Sequence, residues 1–158
     1  MTVIFTMKLL HVLGASVLFG TGLGIAFFML MAHRTNDVAA TATIARLVVI
    51  ADFVFTATAV VLQPLTGLVL AFALGLSPLS EPWIVVSIAL YIAVGLCWLP
   101  VVFIQIRMRD IAQQAASTGK HLPREYRTLF RVWFWLGWPA FAGVIGIFAL
   151  MIWQPTFG

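Results

Sequence analysis

Apolar residues along the chain fall into four long runs separated by short polar stretches. The first run covers residues 3–32 and is interrupted by Lys8 and His11. A polar segment, 33–46, ends it. The second run covers 47–76 and contains Asp52, Gln63 and Pro64. A short connection with Pro78 and Pro82 follows, and two prolines so close together stop a helix on both sides. The third run covers 83–106. Its helical periodicity continues into 107–114, which predicts a helical extension into water that stops near Gly119. A basic loop precedes the fourth run, 130–153. A membrane span needs ~20 apolar residues, so each run is long enough to cross a bilayer. The pattern predicts an all-α, integral membrane four-helix bundle, connected up-down-up-down, in a single transmembrane domain over 1–158. The extension and basic loop fill 107–129.

Composition agrees with this reading. Apolar residues make up 63% of the chain and charged residues 9%, too few to coat a water-soluble globule, where about a quarter are charged. The net charge of +4 could suggest nucleic acid as a partner, but the basic residues lie between apolar runs and form no aromatic-interleaved stripe. Their role is topological. Arg34, Arg46, Arg107, Arg109, Lys120, Arg124, Arg127 and Arg131 fall on one side and only Lys8 on the other. The positive-inside rule makes the first side cytoplasmic and puts both termini outside. The expected location is a bacterial cytoplasmic (inner) membrane, with the termini in the periplasm and Trp83 and Trp153 at the outer interface. The first apolar stretch is too long for a signal-peptide core and no A-x-A site follows it. Cys97, the one cysteine, reads as a small packing residue.

Polar residues inside hydrocarbon are costly and face the bundle interior. At about 100° per residue, Asp52, Thr56, Gln63, Thr66 and Gly67 share one stripe of the second helix. Ser87, Tyr91, Trp98 and Gln105 share a face of the third. Two such stripes on neighbouring helices predict a hydrogen-bonded seam or a wet cavity. Pro64 cannot donate a backbone hydrogen bond, so the carbonyl of Val60 is freed. Asp52 lies ~9 Å along its helix from Arg46, and its simplest reading is an ion pair with Arg131 or Arg107.

His11 is the one histidine within a span. Lys8 shares its face, and Gly14, Ala15, Leu18 and Gly22 leave room beside the imidazole for a flat ligand. Ser16, Gly20 and Gly24 form a small-xxx-small seam on the opposite face, suited to close helix packing. A buried imidazole in a membrane bundle either ligates haem or a metal, or hydrogen-bonds across helices. For a lone histidine the hydrogen bond is the commoner use. If it ligates haem iron, the sixth position falls to Lys8, Met7, Met151, a second subunit or nothing.

The sequence Lys8-Leu9-Leu10-His11, then Phe19-Gly20-Thr21-Gly22 and His33, resembles the opening helix of HemJ-type protoporphyrinogen oxidases, and the chain also looks like the membrane domain of the CopD copper-resistance family. Gln63-Pro64-Leu65-Thr66-Gly67-Leu68 is similar to a pattern of the same group. As a whole the chain resembles a small family of predicted bacterial integral membrane proteins related to both. The resemblance implies a haem b site near the outer leaflet with His11 as ligand. The HemJ pattern has a lysine in its third helix, and residues 83–106 contain none; the resemblance thus bears on haem binding more than on protoporphyrinogen oxidation. Met7, Met29, Met31 and Met151 form no soft-donor cluster for copper.

Two functional classes follow. One is a haem-b redox or electron-transfer protein, a haem-dependent membrane oxidoreductase if it turns over substrate. Its site would be His11 with Lys8, Gly14, Ala15, Gly22, Gln63 and Tyr91, and its partners a quinone or porphyrin. The other is a cofactor-free bundle, a small transporter or accessory subunit, with Asp52, Gln63 and the Pro64 kink lining a path. Both have the lipid bilayer as surroundings and a homo-oligomer as an assembly option.

Overall fold

A computed structural model describes residues 2–155 of the chain. Four helices account for nearly all of them: α1 (Thr2–Thr35), α2 (Val38–Ala73), α3 (Pro82–Ser117) and α4 (Arg124–Trp153). All four are long and apolar enough to cross a membrane. Phe53, Phe55, Phe72, Leu96, Phe103, Trp135 and Trp138 point outward and are largely exposed. Such a belt of large apolar side chains suits lipid rather than water as its surroundings.

The connections are shorter than the polar stretches in the sequence. The segment 33–46 is almost wholly helical, because α1 runs to Thr35 and α2 begins at Val38, well before Leu47. Only Asn36 and Asp37 turn the chain. Asn36 takes a left-handed conformation with φ 55°. Asp37 Oδ1 accepts from the backbone N–H groups of Ala39 (2.8 Å) and Ala40 (3.1 Å), capping α2. The Thr41 hydroxyl reaches back to the Ala32 carbonyl at 3.2 Å. Two other helix ends close with the same device. Gly75 (φ 72°) and Gly119 (φ 64°) supply left-handed residues after α2 and α3. The following N–H groups, of Leu76 and Lys120, bond back to the carbonyls of Ala71 and Ala115. Pro82 opens α3 at a position where its missing N–H is no loss.

Chain direction reverses at each connection, giving the up-down-up-down bundle. The better-packed end gathers the end of α1, the start of α2, the end of α3 and the start of α4. Met29, Ala45, Met108, Ala112, Tyr126 and Trp133 form its core. Seven of the nine basic residues belong to these same segments, and Lys120 lies in the connection between α3 and α4. The helical extension after Ile106 exists, but Met108, Ile111, Ala112 and Ala115 are buried in this core. At the opposite end Ala71, Trp83 and Ile84 pack with Leu76, Leu150 and Met151.

Helices α3 and α4 pair closely through glycines that the sequence reading did not single out. A Cβ on Gly143 would lie 2.5 Å from Val94 Cγ2, and one on Gly146 would lie 3.3 Å from Leu90 Cδ1. The seam expected at Ser16, Gly20 and Gly24 is not a contact within the chain. Nothing lies within 4 Å of a Cβ built on Gly20 or Gly24, and the Ser16 hydroxyl bonds to its own helix at Val12. The reason is that α1 turns its other face inward. Gly14 meets Gln63 of α2, with only 2.5 Å between a built Cβ and Nε2. Gly22 faces Phe141 of α4 at 3.7 Å.

Residues Asp52–Thr56 form a π-helical turn inside α2. A π turn inserts one residue, so everything after it is rotated by about one residue's step, ~100°. The Asp52 side chain meets α3, while Gln63, Thr66 and Gly67 face α1. The stripe that straight-helix periodicity draws as one is two.

Candidate functional site

Each half of that stripe builds its own polar cluster. In the first, His11 of α1 meets α2. Its Nδ1 lies 2.9 Å from Thr66 Oγ1. The Thr66 hydroxyl lies 2.8 Å from the Leu62 carbonyl in its own helix. A hydroxyl has one proton to donate. Committed to Leu62, Thr66 accepts from His11, which assigns the imidazole proton to Nδ1 and leaves Nε2 with a lone pair. Among the described residues Nε2 makes no hydrogen bond, and His11 is partly exposed. Gly67 makes room for the ring: a Cβ there would lie 3.2 Å from His11 Cε1. Gln63, buried, donates from Nε2 to the backbone carbonyl of His11 at 2.8 Å.

Among the residues expected around His11, Gln63 is thus brought to it and Gly14 lies against Gln63. The gap at Gly14 is filled by the Gln63 amide. Ala15 and Gly22 are half-buried on the inward side of α1, and Lys8 is exposed one turn before His11. Tyr91 is elsewhere, on α3. Its hydroxyl donates to the carbonyl of Val60, the one that Pro64 deprives of its helical partner.

The second cluster centres on Asp52, which is 4% exposed. The expected ion pair with Arg131 or Arg107 is absent. Among the described residues the ion pairs are Arg107–Glu125 (2.9 Å) and Arg109–Asp110 (2.7 Å), all four on exposed or half-exposed side chains. The carboxylate faces the middle of the bundle, where its partners are neutral. Trp98 Nε1 donates to Oδ1 at 3.3 Å. The Gln105 amide is assigned with its nitrogen toward Asp52, which satisfies both of its neighbours: Nε2 donates to Asp52 Oδ2 at 3.1 Å, and Oε1 accepts from Trp133 Nε1 at 3.1 Å. Trp133 of α4 was not expected here; an indole N–H two residues from Arg131, at the basic end of the bundle, carries no periodic signal that separates it from an interface anchor. Thr56 lies beside the carboxylate, and its buried hydroxyl makes no hydrogen bond. Ser87 takes no part, since its hydroxyl bonds to Trp83 in its own helix at 2.7 Å.

His33 sits at the basic end, stacked on Phe130 with ring centroids 3.8 Å apart. No group of three or more His, Cys, Asp or Glu side chains able to hold a metal ion occurs among the described residues. A metal ligated at His11 would need donors from a porphyrin or another molecule.

No curated protein and no solved structure matches the chain. The family model described as a predicted integral membrane protein (DUF2269) matches residues 5–155, a stretch that takes in all four helices, and the chain belongs to that family.

Proposed function

We propose that this protein binds haem b in the membrane and has a redox or electron-transfer role, with His11 as an axial ligand through Nε2. The observation that carries the reading is the hydrogen-bond chain from His11 Nδ1 to Thr66 to Leu62. It fixes the tautomer in which Nε2 can donate to a metal, and it holds the ring in one orientation, as partners behind ligating histidines do. When bound, the haem would supply one-electron chemistry at a potential set by its axial ligands and burial. The chain's own part is to orient the imidazole, to present Lys8 on the same face, and to keep water from the Thr66 side of the ring. Room for a porphyrin does not lie over Gly14, where Gln63 is packed, so the approach is along the accessible edge of the ring.

The test is an absorption spectrum of protein produced with ample haem, oxidised and dithionite-reduced. Soret and α bands are expected, lost or strongly altered in His11→Ala and retained in His33→Ala and His121→Ala. A colourless wild-type protein overturns the proposal.

The second reading is a cofactor-free bundle, a transporter or accessory subunit. The filling of the Gly14 gap by Gln63 favours it, because His11, Gln63 and Thr66 then form a complete inter-helix clasp without any further ligand. On this reading the protein is colourless and His11→Ala costs stability alone.

A further inference from the structure

We propose that Asp52 is a reversible proton-binding site inside the membrane, built by Thr56, Trp98 and Gln105, and distinct from the His11 cluster. The two clusters lie on one helix, and Asp52 and Thr66 are about 20 Å apart along it at the usual rise.

The argument rests on what surrounds the carboxyl group. Asp52 is buried, and a carboxylate within hydrocarbon without a cation is costly. From its own helix it is faced by the Thr56 hydroxyl. From α3 come the Trp98 indole and the Gln105 amide. From α4 comes Trp133, acting through Gln105. None of these titrates. The titratable groups nearest along α3 are Cys97, beside Trp98, and Arg107, two residues beyond Gln105; Arg107 is exposed and paired with Glu125 at 2.9 Å. Residues 12–32 of α1 contain no titratable side chain. Arg131 on α4 is exposed and makes no ion pair with Asp52. No fixed cation therefore holds Asp52 in its charged form.

The partners also select the ligand. Trp98 and Gln105 present N–H donors to both carboxyl oxygens, and the Gln105 oxygen, which could have joined a cation's shell, is taken by Trp133. A metal ion would meet donor hydrogens where it needs oxygens. A proton needs only one acceptor, and the Thr56 hydroxyl, buried and without a partner, is one. A hydroxyl serves both states by rotating: it donates to the carboxylate and accepts from the carboxylic acid. Protonation forms one O–H bond on a carboxylate oxygen with a proton taken from water, and deprotonation returns it. Asp52 and Thr56 are four residues apart in the π turn and are neighbours on one helix face.

The test is infrared difference spectroscopy of the full chain in lipid nanodiscs, titrated from acidic to strongly alkaline pH. A buried carboxylic acid C=O band, reversible with pH, is expected in the wild type and missing in Asp52→Asn. Thr56→Val, which keeps Asp52, should shift the midpoint, because it removes the hydroxyl that donates to the ionised form and accepts from the acid. Thr56→Ser should restore it. A wild-type spectrum with no buried carboxylic acid at any pH, or with one that never ionises, overturns the proposal. So does a reversible band that survives in Asp52→Asn. Gln105→Glu adds a second carboxyl beside the first; splitting of the titration into two coupled steps is expected, and a single unchanged step overturns the placement of Gln105 against Asp52.

Discussion

The Tyr91 hydroxyl donates to the carbonyl of Val60, across from α3 to α2, where Pro64 leaves that carbonyl without its own helix's N–H. A proline inside a span is tolerated when a neighbouring helix satisfies the freed group, and here one residue does so. Tyr91→Phe should lower stability by about 1–3 kcal/mol, the cost of a buried polar group left unpaired. In a Pro64→Ala background the N–H returns, and the same substitution should cost much less. Reversible unfolding in mixed detergent, run as a double-mutant cycle, reads the difference. Equal costs in both backgrounds would show that Tyr91 acts through its packing alone.

Glycine tolerance should follow the contacts and not the spacing. Gly14→Ala places a methyl 2.5 Å from Gln63 Nε2, so the amide must move and release the His11 carbonyl. A loss of about 1–3 kcal/mol is expected, typical of overpacking. Gly20→Leu meets nothing within the chain and should leave the stability of the monomer nearly unchanged. Thermal unfolding of the monomeric fraction checks both. If Gly20→Leu instead abolishes a dimer seen by crosslinking while sparing the monomer, the Ser16–Gly20–Gly24 face belongs to a second copy.

The helices were legible in the sequence because each is a long apolar run ended by proline, glycine or clustered charge. The beginning of α2 was not, since Thr41, Ala42 and Ala45 are weakly apolar, Arg46 is charged, and the stretch reads as a connection, although the first three are buried. Asp37 was the available signal, an N-cap residue ahead of an alanine-rich stretch. Pro64 and Val60 could be paired from the chemistry of proline, but the donor could be found only once α3 was placed. The largest misreading came from the π turn, which no residue type announces. It sends Gln63 and Thr66 to His11 and leaves Asp52 with Trp98 and Gln105, so a partner assigned by straight-helix periodicity falls on the wrong neighbour. The bland expectation for His11, a hydrogen bond across helices, is what its Nδ1 makes; whether Nε2 also serves a ligand depends on a group outside the chain.

Orientation is the next expectation. Arg34, Arg46 and the basic residues from Arg107 to Arg131 lie at one end of the bundle, and Lys8 at the other. The positive-inside rule puts the first end in the cytoplasm. A reporter active only in the cytoplasm should work when inserted at Gly119 and fail when fused after Gly158. The opposite pattern would invert the bundle and, with it, put the His11 cluster in the cytoplasmic leaflet.

Thr66 separates the two readings of the His11 cluster. Thr66→Val keeps the shape of the side chain and removes the acceptor of the imidazole proton. If His11 holds haem, the ring loses its fixed tautomer and orientation, and haem retention should fall on the order of 10–100-fold, the usual effect of removing a partner behind a ligating histidine. Thr66→Ser keeps the hydroxyl and should recover most of it. If His11 is only a clasp between α1 and α2, Thr66→Val costs about 0.6 kcal/mol, an average interhelical hydrogen bond in a membrane protein, and no spectrum changes because there is none. Haem titration of the apoprotein, followed at the Soret band for wild type, Thr66→Val and Thr66→Ser, distinguishes these outcomes. Binding that is strong and indifferent to Thr66 would mean that the iron is held elsewhere, and the hydrogen-bond chain from His11 to Leu62 would then be structural.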